Sequence, residues 1–144
     1  MSDILSAEIN KIPVETFMNA EVISVSQLMT IREAINTLKD KKISGGPVVD
    51  SLNKIVSVIS QGNLLRLVVQ YGFDKKIGQC MEKLIPTEKL ITVKKSDLFI
   101  DVYKKFLMNP IERVYVTDGG GKLHGIVTRA HILEVLMNQG IKAS

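Results

Sequence analysis

The first part of the chain changes from an extended pattern of apolar residues to a helical one. Val22 to Val25 is a short run rich in β-branched residues, which favours a strand. From Ile31 to Lys41, apolar residues recur every three or four positions, as on one face of an amphipathic helix. Thr30 and Glu33 have the spacing of a capping box, in which the hydroxyl caps the first turn and the glutamate reaches back. A helix that begins after Thr30 is therefore predicted.

The pattern that follows predicts two strands and a second helix. Gly45-Gly46-Pro47 interrupts the helical period, and a buried strand is expected to begin at Val48. Ser51 to Lys54 is typical of a hairpin turn and precedes a second strand from Ile55 to Ile59. Helical spacing returns from about Asn63 to Gln70. The predicted order of elements is β-α-β-β-α.

The second half of the chain repeats this order. Ile23-Ser24-Val25 recurs as Ile91-Thr92-Val93, a shift of 68 residues (from 23 to 91) that also carries Asp50 to Asp118. The elements expected here are an extended segment from Ile91 to Val93, a helix that Ser96 caps and Pro110 closes, strands from Val114 to Thr117 and from Leu123 to Val127 around Gly119-Gly120-Gly121, and a helix from His131 to Met137. The chain is thus two divergent copies of one unit.

The repeat predicts the fold class. Each copy has three strands and two helices, which is too little surface to bury a sheet well. Two copies related by a pseudo-twofold axis and packed sheet to sheet would cover both sheets, so an α/β (α+β) fold is expected. A short lead-in precedes each copy, Phe17-Met18 before the first and Cys80-Met81 before the second, at a shift of 63 residues (from 18 to 81).

Composition narrows the class of protein. Of 144 residues, 45% are hydrophobic, which suffices for a core and excludes a wholly disordered chain. The single cysteine, Cys80, excludes an internal disulfide and a cysteine-cluster metal site, and it suits a reducing compartment. No apolar run is long enough for a membrane span and no signal peptide is recognised, so a soluble cytoplasmic protein is expected. The net charge of +4 comes from scattered lysine pairs without interleaved aromatic residues, which disfavours a nucleic-acid partner.

The order of motifs resembles the cystathionine-β-synthase (CBS) domain, whose tandem pair is called a Bateman module. The matching segments are Phe17-Met18, Ile43 to Asp50 and Val58 to Arg66 in the first copy, and Met81, Ile91-Thr92-Val93, Val116-Thr117-Asp118 and Gly125-Ile126-Val127-Thr128 in the second. The resemblance extends from Val14 to Met137, with a first repeat at 14–71 and a second at 77–138. It implies a regulatory module without catalytic activity, often a homodimer, that modulates a separate protein.

The resemblance also implies the ligand, an adenosine nucleotide held in the cleft between the repeats. AMP, ADP and ATP are the first candidates, and S-adenosylmethionine is a lesser one. The last strand-to-helix junction of each copy would bind ribose and phosphate, through Ser60 and Asn63 in the first copy and Thr128, Arg129 and His131 in the second. Free N–H groups and the helix dipole favour an anion there, although the two hydroxyls could equally be plain N-caps.

The junctions depart from the family pattern at one position. The family has an acidic residue that accepts hydrogen bonds from both ribose hydroxyls where this chain has Asn63 and His131. Asn63 keeps one accepting oxygen, whereas neutral His131 accepts through one nitrogen at most. A protonated His131 could meet a phosphate, or it could be an ordinary surface histidine at a helix start.

The resemblance places the base beside residues that enter the first two strands of each copy. These residues are Ile23, Ser24, Gly45, Gly46 and Pro47 in the first copy, and Ile91, Thr92, Arg113, Val114 and Tyr115 in the second. Glycines would let the backbone approach a flat ring, although Gly45-Gly46-Pro47 could simply end a helix. Arg113 matches a phosphate-binding arginine in the kinase γ subunits of the family, and its planar fork suits phosphate. Pairing with Glu112 is the alternative.

Three further interpretations remain beside the nucleotide sensor. A dimerisation or scaffold module that has lost ligand binding would explain Asn63 and His131. An enzyme is not indicated, because no metal-ligand spacing, P-loop or nucleophile–base pair is present. The last helix of each copy carries apolar residues that could serve the core or a partner copy: Leu64, Leu65, Val68, Val69, Ile132, Leu133, Leu136 and Met137.

Overall fold

The computed structural model describes residues 7–86 and 89–138. The chain divides into two compact units, each with a three-stranded sheet and a hydrophobic core. The contiguous unit consists of Ile23–Leu90 with Gly120–Leu123, and the composite unit consists of residues 7–22, 91–119 and 124–138. The predicted α/β (α+β) class, with two copies of one repeat, is confirmed.

The sheet of the contiguous unit has its most buried strand in the centre. β1 (Val25–Ser26) runs parallel to β2 (Gly45–Val49), and β2 pairs antiparallel with β3 (Ile55–Ser60). All five residues of β2 are buried. Gly45 is opposite Ser60 in this register, so the first residue of β2 lies beside the last residue of β3.

The helices of this unit are α2 (Ile31–Asp40) and α3 (Gln61–Tyr71). The capping box that the sequence predicts for α2 is confirmed: Glu33 N–H donates to Thr30 Oγ1 at 3.1 Å, and Thr30 N–H donates to Glu33 Oε1 at 3.0 Å. Both helices direct apolar residues into one core, which includes Val25, Ile31, Ala34, Leu38, Val48, Ile59, Leu64 and Leu67.

The prediction that the second strand begins at Val48 is wrong. Gly45, Gly46 and Pro47 belong to β2 and are buried. Pro47 needs no exception to ordinary proline behaviour, because it begins the third position of a short strand opposite Val58 rather than a helix interior. The glycines mark a close approach of backbones inside the sheet, which a turn-based interpretation does not foresee.

The composite unit repeats the arrangement. Its elements are α1 (Ala7–Asn10), β4 (Thr92–Lys94), α4 (Phe99–Met108), β5 (Arg113–Thr117), β6 (Leu123–Thr128) and α5 (Arg129–Asn138). The strand order is β4-β5-β6, with β4 parallel to β5. Leu123, the first residue of β6, groups with the contiguous unit.

The prediction that Ser96 caps the helix of the second copy is wrong. α4 begins at Phe99, after Leu98, and Asp101 Oδ2 accepts a hydrogen bond of 2.8 Å from Leu98 N–H. Phe99 and Val102 are both fully buried in the core of the composite unit. Burial of these two residues fixes where the helix starts, and it overrides the local preference of a serine for the N-cap.

The two lead-ins are exchanged between the copies. Residues that precede the first copy fold in the composite unit, where Val14 N–H donates to Asp97 O at 2.8 Å. Residues that precede the second copy fold in the contiguous unit, where Ile77 N–H donates to Met29 O at 2.8 Å. Val14 and Ile77 are both fully buried. Each copy is therefore completed by the lead-in of the other.

Candidate functional site

The junction of β3 and α3 is a closed hydrogen-bonded box. Asn63 N–H donates to Ser60 Oγ at 3.1 Å, and Ser60 N–H donates to Asn63 Oδ1 at 2.9 Å. The hydroxyl of Ser60 also donates to Asn63 Oδ1, again at 2.9 Å. Ser60 is exposed and Asn63 is half-buried, so the box lies at the surface of the contiguous unit. The plain N-cap role is thus present, and it also holds two polar side chains at the start of α3.

Backbone packs closely beside this junction. A Cβ on Gly45 would lie 2.7 Å from Ile59 O and 3.3 Å from Ser60 Cα, and a Cβ on Gly46 would lie 3.1 Å from Ile23 O. The structure therefore brings Ile23, Gly45 and Gly46 to the end of the sheet where Ser60 begins the helix. Glycine at these two positions is required by close approach of the chain and not by an unusual φ angle.

The junction of β6 and α5 has the same design with different chemistry. Thr128 N–H donates to His131 Nδ1 at 3.0 Å, and His131 N–H donates to Thr128 Oγ1 at 3.4 Å. Because Nδ1 accepts, it carries no proton, and a neutral His131 ring carries its proton on Nε2. His131 is half-buried, and it occupies in the composite unit the position that Asn63 occupies in the contiguous unit.

Two arginines belong to this end of the composite unit. Arg129, the first residue of α5, is exposed and donates from Nε to Ile111 O at 3.1 Å. Its guanidinium carbon lies 6.0 Å from the centroid of the Phe106 ring, at the outer range of a cation–π contact. Since only Nε is used by Ile111, the two Nη groups remain as donors for an anion. Arg113 is the first residue of β5, which follows Ile111 by two positions.

Tyr115 limits what Arg113 can do. Burial raises the pKa of the Tyr115 phenol above its ordinary value of 10.0, while the charge of Arg113 and a side-chain hydrogen bond with it act in the opposite direction. Tyr115 is only 4% exposed. Arg113 therefore has a partner in the fold, and a phosphate would engage the donors of the guanidinium that Tyr115 leaves unused.

The remaining candidates differ in what they expose. Thr92 lies opposite Tyr115 in the parallel pair of β4 and β5, and its side chain is half-buried. Ile91 and Ser24 are also half-buried. Val114 is fully buried in the core of the composite unit, so only its backbone faces away from that core. Pro47 is likewise buried.

The two ends are alike in geometry and unlike in charge. At the contiguous unit the side chains are neutral: Ser60, Asn63 and the adjoining glycines. At the composite unit Arg113 and Arg129 add two guanidinium groups. Sequence reasoning missed the carbonyl of Ile111, which orients Arg129, because no sequence signal marks a backbone acceptor.

Other kinds of site find no support in residues 7–86 and 89–138. Within these ranges, no group of three or more histidine, cysteine, aspartate or glutamate side chains is placed to hold a metal ion. Cys80 is a free, fully buried thiol. In the same part of the chain, no helix is both long enough and apolar enough to span a bilayer.

Comparison with known proteins gives a consistent result. The family model for the CBS domain matches residues 14–70 and 81–138. The uncharacterized protein MJ1232 of Methanocaldococcus jannaschii is 32% identical over 116 residues, which are 81% of this chain and 36% of that protein. The gamma subunit of the 5′-AMP-activated protein kinase of Dictyostelium discoideum is 27% identical, over 94% of this chain and 25% of the subunit. The chain thus spans only part of the length of these relatives.

A solved structure adds a ligand to the comparison. CBSX2 of Arabidopsis thaliana, in complex with AMP, is 26% identical and has a TM-score of 0.73. The similarity covers 90% of this chain and 98% of that one.

Proposed function

Because the chain belongs to the CBS domain family, we propose that it is a regulatory module that binds an adenosine nucleotide and thereby changes the activity of a partner protein. The observation that carries the proposal is the repeated strand-to-helix junction, in which a hydroxyl residue and a polar third helical residue stand beside the end of each sheet. The complex of CBSX2 with AMP supports an adenosine ligand. The kinase gamma subunit supports a role in modulating another protein.

The residues divide the work of binding in this proposal. The backbone around Gly45 and Gly46 leaves room for a flat ring at the end of the first sheet. Arg113 and Arg129 supply positive charge for phosphate groups, and N–H groups at the start of α5 add to it. AMP, ADP and ATP are the proposed ligands, with S-adenosylmethionine as a further candidate. The module itself performs no catalysis, and a reducing, cytoplasmic compartment suits the free thiol of Cys80.

A thermal unfolding series tests the nucleotide. A ligand that binds only the folded state at a hundredfold excess over its Kd stabilises by about 2.7 kcal/mol, which raises the Tm of a chain of this size by roughly 5–10 °C. We expect such a rise with at least one of AMP, ADP and ATP and none with GMP. Arg129→Ala should reduce the rise, whereas Arg66→Ala, an exposed arginine on α3, should not. Unchanged melting with every adenosine compound at millimolar concentration would refute the proposal.

We also propose that the module forms a homodimer. The last helix of each copy exposes two apolar residues one turn apart: Leu65 and Val69 are 67% and 82% exposed, and Leu133 and Met137 are 60% and 77% exposed. Exposed apolar pairs of this kind on two equivalent helices are typical of protein–protein contacts.

The scaffold interpretation is the second candidate. It is favoured by Asn63 and His131, whose accepting atoms are engaged in the capping boxes. A stable dimer in light scattering together with the absence of any nucleotide-dependent change in Tm would establish it in place of the sensor.

A further inference from the structure

The accepting atoms at both junctions are already used within the fold. Asn63 Oδ1 receives two hydrogen bonds, from the backbone N–H and from the hydroxyl of Ser60. Two bonds occupy both lone pairs of an amide oxygen. His131 Nδ1 receives the N–H of Thr128, and that nitrogen has a single lone pair. Neither side chain has a second acceptor.

The orientation of both side chains follows from the partner in each box. A backbone N–H can only donate, so the atom of Asn63 that faces Ser60 N–H must be the oxygen. The Nδ2 amide of Asn63 is then the group left over, with two N–H donors. By the same argument, the partner of Thr128 N–H must be an unprotonated nitrogen, which leaves Nε2–H as the other polar group of the neutral His131 ring. Both junctions therefore turn donors outward.

A ribose places the opposite demand on a site. Its neighbouring hydroxyls are donors, and proteins that select ribose commonly accept from them with a carboxylate. A carboxylate at the third helical position could use one oxygen in the box and keep the second for the sugar. Ser60 Oγ, which accepts one bond and donates another, retains a single lone pair and cannot serve two hydroxyls.

We propose that Asn63 and His131 make the nucleotide site indifferent to the sugar hydroxyls, so that ribonucleotides and deoxyribonucleotides of adenine bind with nearly equal affinity. This inference rests on the proposed nucleotide function and refines it. Recognition then depends on the base and the phosphate groups, which accept hydrogen bonds from the outward-facing donors and from the guanidinium groups of Arg113 and Arg129. The residue at the third helical position sets the selectivity.

Calorimetric titration of the full chain with AMP, 2′-deoxy-AMP and 2′,3′-dideoxy-AMP tests the inference. For the natural sequence we expect Kd values within about threefold of one another. Asn63→Asp and His131→Asp, singly and together, restore a free carboxylate oxygen at each junction. In at least one of these variants, AMP should bind about tenfold more tightly than dideoxy-AMP. The ratio of the two ligands cancels any repulsion between the new carboxylate and the phosphate.

Asn36→Asp is the matched control, since it makes the same chemical change on an exposed position of α2 in the contiguous unit. It should leave the ratio of affinities unchanged. Aspartate in the first turn of a helix is favourable, so the Asn63 variant is expected to fold, which its circular dichroism spectrum checks.

The outcomes separate the two proposals. Nearly equal affinities in the natural sequence and a ratio that rises in the aspartate variants support the inference. A natural sequence that prefers AMP tenfold over its deoxy forms overturns the inference and leaves the nucleotide function standing. Aspartate variants that gain no preference also overturn it, because another group then decides selectivity. If no adenine nucleotide binds, the proposed function fails, and the inference fails with it.

Discussion

Gly45 is the position at which a single methyl group should disturb both stability and the candidate site. In Gly45→Ala, the new Cβ would lie 2.7 Å from Ile59 O, closer than an ordinary carbon–oxygen contact. The next atom is Ser60 Cα at 3.3 Å. Both neighbours are backbone, so no side chain can rotate away, and the end of β3 must move. Movement there displaces Ser60 and thus the box that begins α3.

The magnitude follows from two opposing effects. Overpacking in a buried position costs typically about 1–3 kcal/mol. Replacing glycine by alanine also restricts the unfolded chain, which returns about 0.4–1 kcal/mol. We therefore expect a net loss of about 1–2 kcal/mol in the free energy of unfolding, which corresponds to a fall in Tm of roughly 3–6 °C.

Urea denaturation of Gly45→Ala and Gly119→Ala measures this difference. Gly119 is exposed, and a Cβ there would have no heavy atom within 4 Å, so its substitution should change the free energy of unfolding by less than about 0.5 kcal/mol. Gly45→Ala should also reduce the nucleotide-dependent rise in Tm. Equal stabilities for the two variants would show that β3 yields freely and that the close approach of backbones has no energetic consequence.

Three further predictions concern other parts of the chain. Gly72 ends α3 with φ 79° and ψ −156°, a region open almost only to glycine, so Gly72→Ala should lower the free energy of unfolding by about 1–3 kcal/mol in urea, although no atom lies within 4 Å of the added Cβ; an unchanged value would contradict this. The pKa of Tyr115 is raised by burial, so above pH 10 the unfolded chain loses that proton more readily and stability falls as pH rises; Tyr115→Phe should flatten the fall in Tm from about pH 9 to 11, and a slope that does not change would refute the assignment. Leu65→Glu together with Leu133→Glu should shift the mass seen in light scattering from dimer to monomer, whereas Leu52→Glu, equally exposed in a turn, should not; a dimer that survives the paired substitution would place the interface elsewhere.

Features set by near neighbours in the chain were predictable from the sequence. The capping box of Thr30 and Glu33 depends on residues three apart, and it is present. Ser96 shows the limit of such reasoning, because the start of α4 is decided by burial of Phe99 in a core to which distant residues contribute. Local preference is a weak term when a large side chain must be buried.

The positions of the candidate site followed from the repeat, but its chemistry did not. Spacing alone marked Ser60 and Asn63 as neighbours at a helix start. Which way the amide of Asn63 faces depends on the hydrogen bonds of Ser60, and the same holds for the ring of His131 and Thr128. The exchange of lead-ins was also out of reach, because Val14 finds its partner more than eighty residues away and no periodicity encodes that pairing.

The exchange of lead-ins has a consequence for how the protein is made. Nearly all of the contiguous unit, Ile23–Leu90, has been translated before the strands and helices of the composite unit begin. Residues 7–22 leave the ribosome first, yet their partners emerge last, so this segment must wait with its apolar side chains Ile9 and Val14 unburied. A contiguous unit that folds early shortens the flexible loop that the waiting segment has to close, which lowers the entropy cost of closure. The order of synthesis thus favours one half as a template, and a slow or damaged first half should expose the leading segment to chaperones and proteases.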